Sequence, residues 1–400
     1  MRWKEEEHNW DPEKLEDAPI AFEAIGCSDR ATNPGRRHEG GFGDGERKGR
    51  PRREAAKVGL ATGNSKEGPK RKVSKKEQKF QKHLEQYEEY RRKMEEEELH
   101  RDPEELTDPY AYQARLFEER WNMLYRNHYG RFEDNTSILC KRYTVNPAPY
   151  GGHKCDTLQV FSVKVAELTG GLQWPLDVFG MVALRDLLDH NRNIIFKRER
   201  DSCQTLTDEN PYLVLTGPVR GVVSDAPVVF EVLLYVRGAT ESDDKELSLL
   251  AASIVNFSNC PLSSLLITNS YTSRLSTLDL KFGRIVYSTE ATISVQVISG
   301  PGPGGFHGGF AAVAAIDEEF VLVDSEDENV PISGGEIKLS RRVVSAVSSE
   351  KLRVSVKARQ GGRVFRGGVD FTPQEMGANS RTLDIGFCKM EVTVDWSLFS

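Results

Sequence analysis

At 400 residues, 38% of them apolar and 29% charged, the chain is longer than one ordinary domain and polar on average. Its net charge of −7 argues against a generally nucleic-acid-binding surface, though not against a local basic segment. No run of about 18 apolar residues occurs, so no helical membrane span is expected. The six cysteines (Cys27, Cys140, Cys155, Cys203, Cys260, Cys388) lack the paired spacing of a disulfide scaffold.

The opening MRWKEEEHNW has no apolar core of a signal peptide, which favours a cytoplasmic or nuclear protein. Residues 1–74 read as a disordered charged leader, because Gly, Pro, Arg and Glu leave too little apolar surface to offset the entropy of ordering. Within it Lys70, Arg71 and Lys72, followed by Lys75 and Lys76, have the form of a nuclear-import signal; a solvated basic stretch is the plainer reading.

Residues 75–131 read as a helical lead-in. Lys75 to His100 carries many Glu/Lys pairs at spacings of three and four, but Phe80, Leu84, Tyr87 and Met94 are too sparse for a sustained coiled-coil seam. A second helix has Asp108 to cap it and Pro109 for its first turn. Its apolar face is Leu116, Phe117, Trp121, Leu124 and Tyr125, and Gly130 ends it. That face should dock on the domain that follows.

From Leu158 the apolar period becomes two. Val228, Phe230, Val232, Leu234 and Val236 alternate, as do Met390, Val392, Val394, Trp396 and Leu398. Leu278, Leu280 and Phe282, then Ile293, Val295 and Val297, read as two further strands. No helix-length amphipathic stretch interrupts these strands. The expected fold is therefore mainly β, an antiparallel β-sandwich-like region over 155–400 preceded by two helices and the leader.

Two segments can be overlaid. Gly180-Met-Val-Ala, Asp186, Ile194 to Phe196, Leu213 to Arg220 and Val228 to Val236 match Gly309-Phe-Ala-Ala, Asp317, Val321 to Val323, Ile337 to Val344 and Leu352 to Val356. Two related units at 155–265 and 270–400 would produce this, as would one large sandwich.

Chemical motifs are scarce. GPGPGGFHGGF (Gly300 to Phe310) lacks the Lys-Ser/Thr and helix of a phosphate loop and reads as a hairpin loop between strands. Cys140, His153 and Cys155 are the nearest approach to a zinc ligand set, and ordinary thiols with a loop histidine are the simpler reading. Asp186, Asp189, Asp317 and Asp324 are weak calcium candidates. Arg185, Arg192, Lys197, Arg198 and Arg200 interleave with the first pair and would neutralise it. No catalytic residue and no cofactor are assigned.

The segments FEDNTSI (Phe132 to Ile138), DTLQVFSVKVAEL (Asp156 to Leu168), GGLQWPLDVFGMVALRD, DHNRNIIFKRERDSCQTLTDENPYLVLTGPVRGVV, LSRRVVSAV and KMEVTVDWSL resemble an uncharacterised domain family abundant in grasses. Its members are often labelled after a jasmonate-induced, ribosome-inactivating-like protein. The resemblance runs from about Tyr112 to the C-terminus and implies a β-rich domain without established activity. In some relatives this domain looks fused to an rRNA N-glycosidase domain, which relies on a helix-borne Glu-Ala-x-Arg. Here Glu54-Ala55-Ala56-Lys57 lies in the leader and Glu290-Ala291-Thr292 enters a strand. The reading is thus a non-catalytic binding or scaffolding module with a protein partner, in stress or defence as the family labels imply. The alternatives are an N-glycosidase-related or other hydrolytic enzyme, and a calcium-dependent membrane-binding sandwich.

Overall fold

The computed structural model describes residues 108–148, 152–254, 263–302 and 305–399, together with Glu89 and Arg92, which are both helical. The expected leader, its import-like cluster (Lys70, Arg71, Lys72, Lys75, Lys76) and most of the charged helix lie outside these residues.

Helix α1 (Pro109–Leu124) begins as its sequence requires. Asp108 accepts a hydrogen bond from Ala111 N, and Pro109 occupies the first turn, where a missing N–H costs nothing. A single turn, Arg126–Tyr129, follows and stops at Gly130. Trp121 is buried, edge-on to Phe132 and Tyr125, and α1 lies along a strand of the domain behind it. No helix among the described residues is long and apolar enough to cross a membrane.

The remainder is mainly β, in three antiparallel sheets. The strands are β1 (Cys155–Leu168), β2 (Leu176–Arg185), β3 (Asn193–Arg198), β4 (Gln204–Leu206), β5 (Val222–Val223), β6 (Val228–Val236), β7 (Lys245–Ile254), β8 (Leu265–Thr272) and β9 (Ser276–Ser299). They continue as β10 (His307–Ala314), β11 (Ile316–Asn329), β12 (Ile332–Ser333), β13 (Glu336–Ile337), β14 (Val343–Val347), β15 (Leu352–Gln360), β16 (Arg363–Phe371), β17 (Gly377–Asp384) and β18 (Lys389–Ser397).

Their pairing forms two lobes with the same plan. In the first, β3-β2-β6-β7 faces β5-β1-β9-β8; in the second, β11-β10-β15-β16 faces β14-β9-β18-β17. Each lobe encloses its own core. One gathers Val163, Val182, Phe196, Phe230, Leu250 and Phe282; the other gathers Ile293, Phe310, Leu322, Val354, Val392 and Trp396. Strand β9 belongs to both. Its first half pairs with β1 and β8, and its second with β18 and β14.

Three expectations change. The divide placed at 265–270 falls within β8, which pairs with the first half of β9, so the changeover lies inside β9 itself. The overlay of Gly180 on Gly309 is one residue out. The position equivalent to Gly180 is Gly308, since both have positive φ and a Cβ on either would meet a cross-strand carbonyl, Leu233 O at 2.0 Å or Lys357 O at 2.1 Å. In a strand a one-residue slip exchanges the two faces, and the corrected register sets buried Val182 on buried Phe310. Finally, Gly300 to Phe310 does not close a hairpin. It carries the chain from β9 in one sheet to β10 in the facing sheet, while Gln360 Nε2 donates to Pro301 O and Gly305 O.

Gly308→Ala should lower the unfolding free energy by about 1–3 kcal/mol, through the φ of +142° and the clash with Lys357 O. Gly386→Ala, at φ +90° with nothing within 4 Å, carries the backbone strain alone and should cost less in the same urea titration.

Candidate functional site

The charged turn Asp186–Arg192 between β2 and β3 lies under α1. Arg185 ends β2, Arg192 precedes β3, and Glu231 sits beside them in β6, opposite Ala183. Glu231 Oε2 accepts from Arg185 Nε at 2.6 Å, and Oε1 accepts from Arg192 Nη2 at 2.6 Å. Arg220 reaches in from the segment before β5. Its Nη1 and Nη2 donate to the two oxygens of Asp186 at 2.5 and 2.8 Å, and Nη2 also donates to Asp189 at 3.1 Å. Val223 N and Leu188 N occupy the remaining directions of Asp186, while Thr136 Oγ1 and Asn191 N donate to Asp189. All of these charged side chains are buried, which is tolerable only because each meets its counter-charge and its hydrogen bonds.

The turn also anchors the helix. His190 adopts φ 54°, and its carbonyl accepts from Trp121 Nε1 at 2.8 Å and from Arg185 Nη1 at 2.9 Å. Its ring stacks on Tyr125 at 3.9 Å. Burial lowers the imidazole pKa against the opposing pull of Asp186 and Asp189.

The four calcium candidates do not converge. Asp186 and Asp189 are engaged by Arg220, whereas Asp317 and Asp324 are exposed on β11, seven positions and so roughly 20 Å apart along the strand. The neutralising cation is Arg220. Of the five basic residues that interleave with the turn, Arg185 and Arg192 serve Glu231, Arg200 pairs with Asp244, and Lys197 pairs with Glu199.

Two buried groups at the lobe junction carry no signature a sequence reader would notice. Glu290, in β9, accepts from Gly221 N at 2.7 Å and Lys141 N at 2.9 Å. Burial raises its pKa, and those two amides and Arg220 pull it back only in part. Arg341 meets no carboxylate among the described residues. Its guanidinium donates to Gly217 O, Val160 O and Phe161 O and lies 3.7 Å over the Phe320 ring. Burial lowers its pKa to about 9, so it keeps its charge at neutral pH.

Of the possible zinc ligands, His153 and Cys155 come together with Asp225, and Cys140 does not join them. Their donor atoms lie within 4.8 Å of one another. Burial first, then the Asp225 carboxylate, pushes the Cys155 thiol far above its usual range, the reverse of an activated nucleophile.

Comparison with known proteins gives one family match. The domain of unknown function DUF6598 covers residues 157–394. No curated protein matches the chain. Among solved structures, the calcium-bound pair of C2 domains of extended synaptotagmin 2 is similar at 10% identity over 62% of this chain and 99% of that one, with a TM-score of 0.20. Human GIVD cytosolic phospholipase A2, in complex with methyl gamma-linolenyl fluorophosphonate, is similar at 12% identity over 62% of this chain, which spans 33% of that enzyme, with a TM-score of 0.22. At such scores neither likeness carries an argument.

Arg220→Met strands two buried carboxylates and should cost about 3–5 kcal/mol in chemical denaturation. For Glu290 the native pKa is raised, so the native state holds the proton more tightly than the unfolded chain. Its contribution is complete below the unfolded value near 4.5 and is lost as pH rises through the native value. The stability of wild type minus that of Glu290→Gln should therefore fall as pH rises from about 4.5; a flat difference would refute this.

Proposed function

Because the chain belongs to the DUF6598 family, domains of unknown function, we propose from its own geometry that it is a non-catalytic binding module for a protein partner. One observation carries this reading: large apolar side chains stand exposed on backbone that is itself held firmly in place, on segment 139–148 and on β9. Leu139 is 65% exposed, Val145 81% and Tyr287 64%. Segment 139–148 crosses from one lobe to the other. Cys140 N donates to Val219 O, Lys141 N to Glu290, Tyr143 N to Ser397 Oγ, and Gly377 N to Thr144 O. Lys154 lies over the Tyr287 ring and pairs with Glu375, next to exposed Met376. Apolar side chains exposed on ordered backbone are what a partner buries.

The buried charges support a structural role in place of catalysis. Asp186, Glu231 and Glu290 each have their oxygens engaged by protein donors, and a carboxylate so engaged is not free to move a proton or hold a sugar. Release of adenine from ribosomes by the purified chain would overturn this in favour of an N-glycosidase. Chelator-sensitive binding to liposomes would favour the calcium-dependent membrane reading. The resemblance to the grass family supports a place in stress or defence responses. The basic cluster from Lys70 to Lys76 supports cytoplasmic and nuclear residence.

Affinity capture with the full chain, wild type beside Val145→Asp and Tyr287→Ser, tests the surface directly. A partner held by wild type should be lost from both variants while their thermal unfolding stays unchanged. Retention by both, or self-association in sedimentation that the variants abolish, would refute a distinct protein partner at this surface.

A further inference from the structure

The ladder between β1 and β5 brings Cys155, His153 and Asp225 together. Thr157 pairs with Val223 and Leu158 with Val222 in antiparallel register, and extending that register by two places sets Asp225 opposite Cys155. Residues two apart on an extended chain share a face, so His153 joins Cys155 on that side. The backbone there is fixed. His153 N donates to Phe399 O, Phe399 N donates back to His153 O, and Ser224 N donates to Asp156 O. Asp225 Oδ1 accepts from Asp156 N at 3.1 Å, which orients the carboxylate beside the thiol. Asp156 does not compete, because its own carboxylate is held by Arg284 and Tyr287 N.

We infer that His153, Cys155 and Asp225 form a binding site for a divalent transition-metal ion of the zinc type. An imidazole, a thiol and a carboxylate are the three donor classes that zinc accepts, and the sulfur and nitrogen argue against calcium or magnesium, which select oxygen. Zinc–ligand bonds of about 2.0–2.3 Å place tetrahedral donors roughly 3.5 Å apart. The donors already lie within 4.8 Å, and side-chain rotation of exposed His153 and Asp225 closes the gap onto buried Cys155. Binding replaces the Sγ–H bond with a metal–sulfur bond and releases one proton to solvent. Water would complete the tetrahedral set as the fourth ligand. This site lies outside both cores, in a small cluster with Val223, Phe399, Leu187 and Leu188, and does not depend on the partner-binding reading above.

The test is titration of the metal-free full chain with Co²⁺, followed by displacement with Zn²⁺. One equivalent of Co²⁺ should produce a thiolate-to-cobalt charge-transfer band with the strong visible absorption of tetrahedral cobalt, and Zn²⁺ should remove both. Cys155→Ser should abolish the band, and His153→Gln and Asp225→Asn should each weaken Co²⁺ binding by at least about tenfold, since even outer partners of a metal ligand are worth that much. His153 and Asp225 are exposed, so those variants decide the matter should Cys155→Ser fail to fold. A charge-transfer band that persists in Cys155→Ser would place the metal on another thiol and overturn the assignment. Absence of the band from wild type, or unchanged affinity in both exposed variants, would also overturn it.

Discussion

A strand of 24 residues, several times the usual length, has to supply one edge of two separate cores. Alternation alone would not manage this. In the first half of β9 the core-facing residues are Leu278, Leu280 and Phe282; in the second half they are Ala291, Ile293 and Val295. The parity changes from even to odd. Cross-strand partners share a face, and β1 shows where the change occurs: Thr157 faces Ile285, whereas Cys155, two residues earlier, faces Ser288, three residues later. The one extra residue in β9 is a bulge, and Tyr287 within it takes φ 50°. From there on, the side that even-numbered residues held passes to odd-numbered ones, so both halves of β9 turn their apolar side the same way. Opening either lobe exposes part of the strand the other needs, which couples the two.

The lobes meet through residues at corresponding places. Ser288 pairs with Val347 in the second lobe as Thr157 pairs with Val223 in the first, and the hydroxyls of Thr157 and Ser288 lie 2.8 Å apart. Gln159 Oε1 accepts from Ser345 N in the middle of β14, and Glu290 Oε2 accepts from Gly221 N just ahead of β5. Such reciprocity is the mark of a self-complementary interface, here formed within one chain. The contacts are polar and buried, and each donor finds an acceptor. Their contribution is therefore to fix how the lobes face one another more than to add net stability.

Alternation made strands such as β6 and β18 visible in the sequence, because each exposes one face to a core and the other to water or to a neighbouring sheet. The capped start of α1 was equally visible, since Asp108 and Pro109 act locally. The continuity of β9 was not. Ser288, Thr289, Glu290 and Thr292 interrupt the apolar pattern between the two stretches that read as separate strands, although all four are buried at the junction and supplied with partners from elsewhere in the chain, save Thr292 Oγ1. Arg220 and Arg341 escaped notice for a related reason. A buried arginine is indistinguishable from a surface one until its acceptors are known, and these lie at long range: Asp186 for one, the carbonyls of Gly217 and Val160 for the other. Asp225 was hidden by brevity, because the two residues of β5 that bring it to Cys155 are too few to show any period.

Buried ionisable groups often mark function, but here they divide into two kinds. Glu231, Asp186, Glu290 and Arg341 sit in low-dielectric surroundings with their hydrogen-bonding capacity taken up by the protein. For them burial is the cost of holding a turn, a helix and a lobe junction in register. At the edge of the first lobe the balance differs. The Cys155 thiol has a long 4.0 Å contact with His153 O and the Asp225 carboxylate beside it, and among the described residues these acceptors meet the backbone amides of Phe399 and Asp156 but no paired cation. Acceptors gathered around one exchangeable proton, on a backbone that the chain holds rigid, are what a metal ion completes by taking the proton's place. The distinction rests on how fully each group's oxygens and sulfurs are already engaged by protein donors, a property that belongs to the folded chain and not to the residue types.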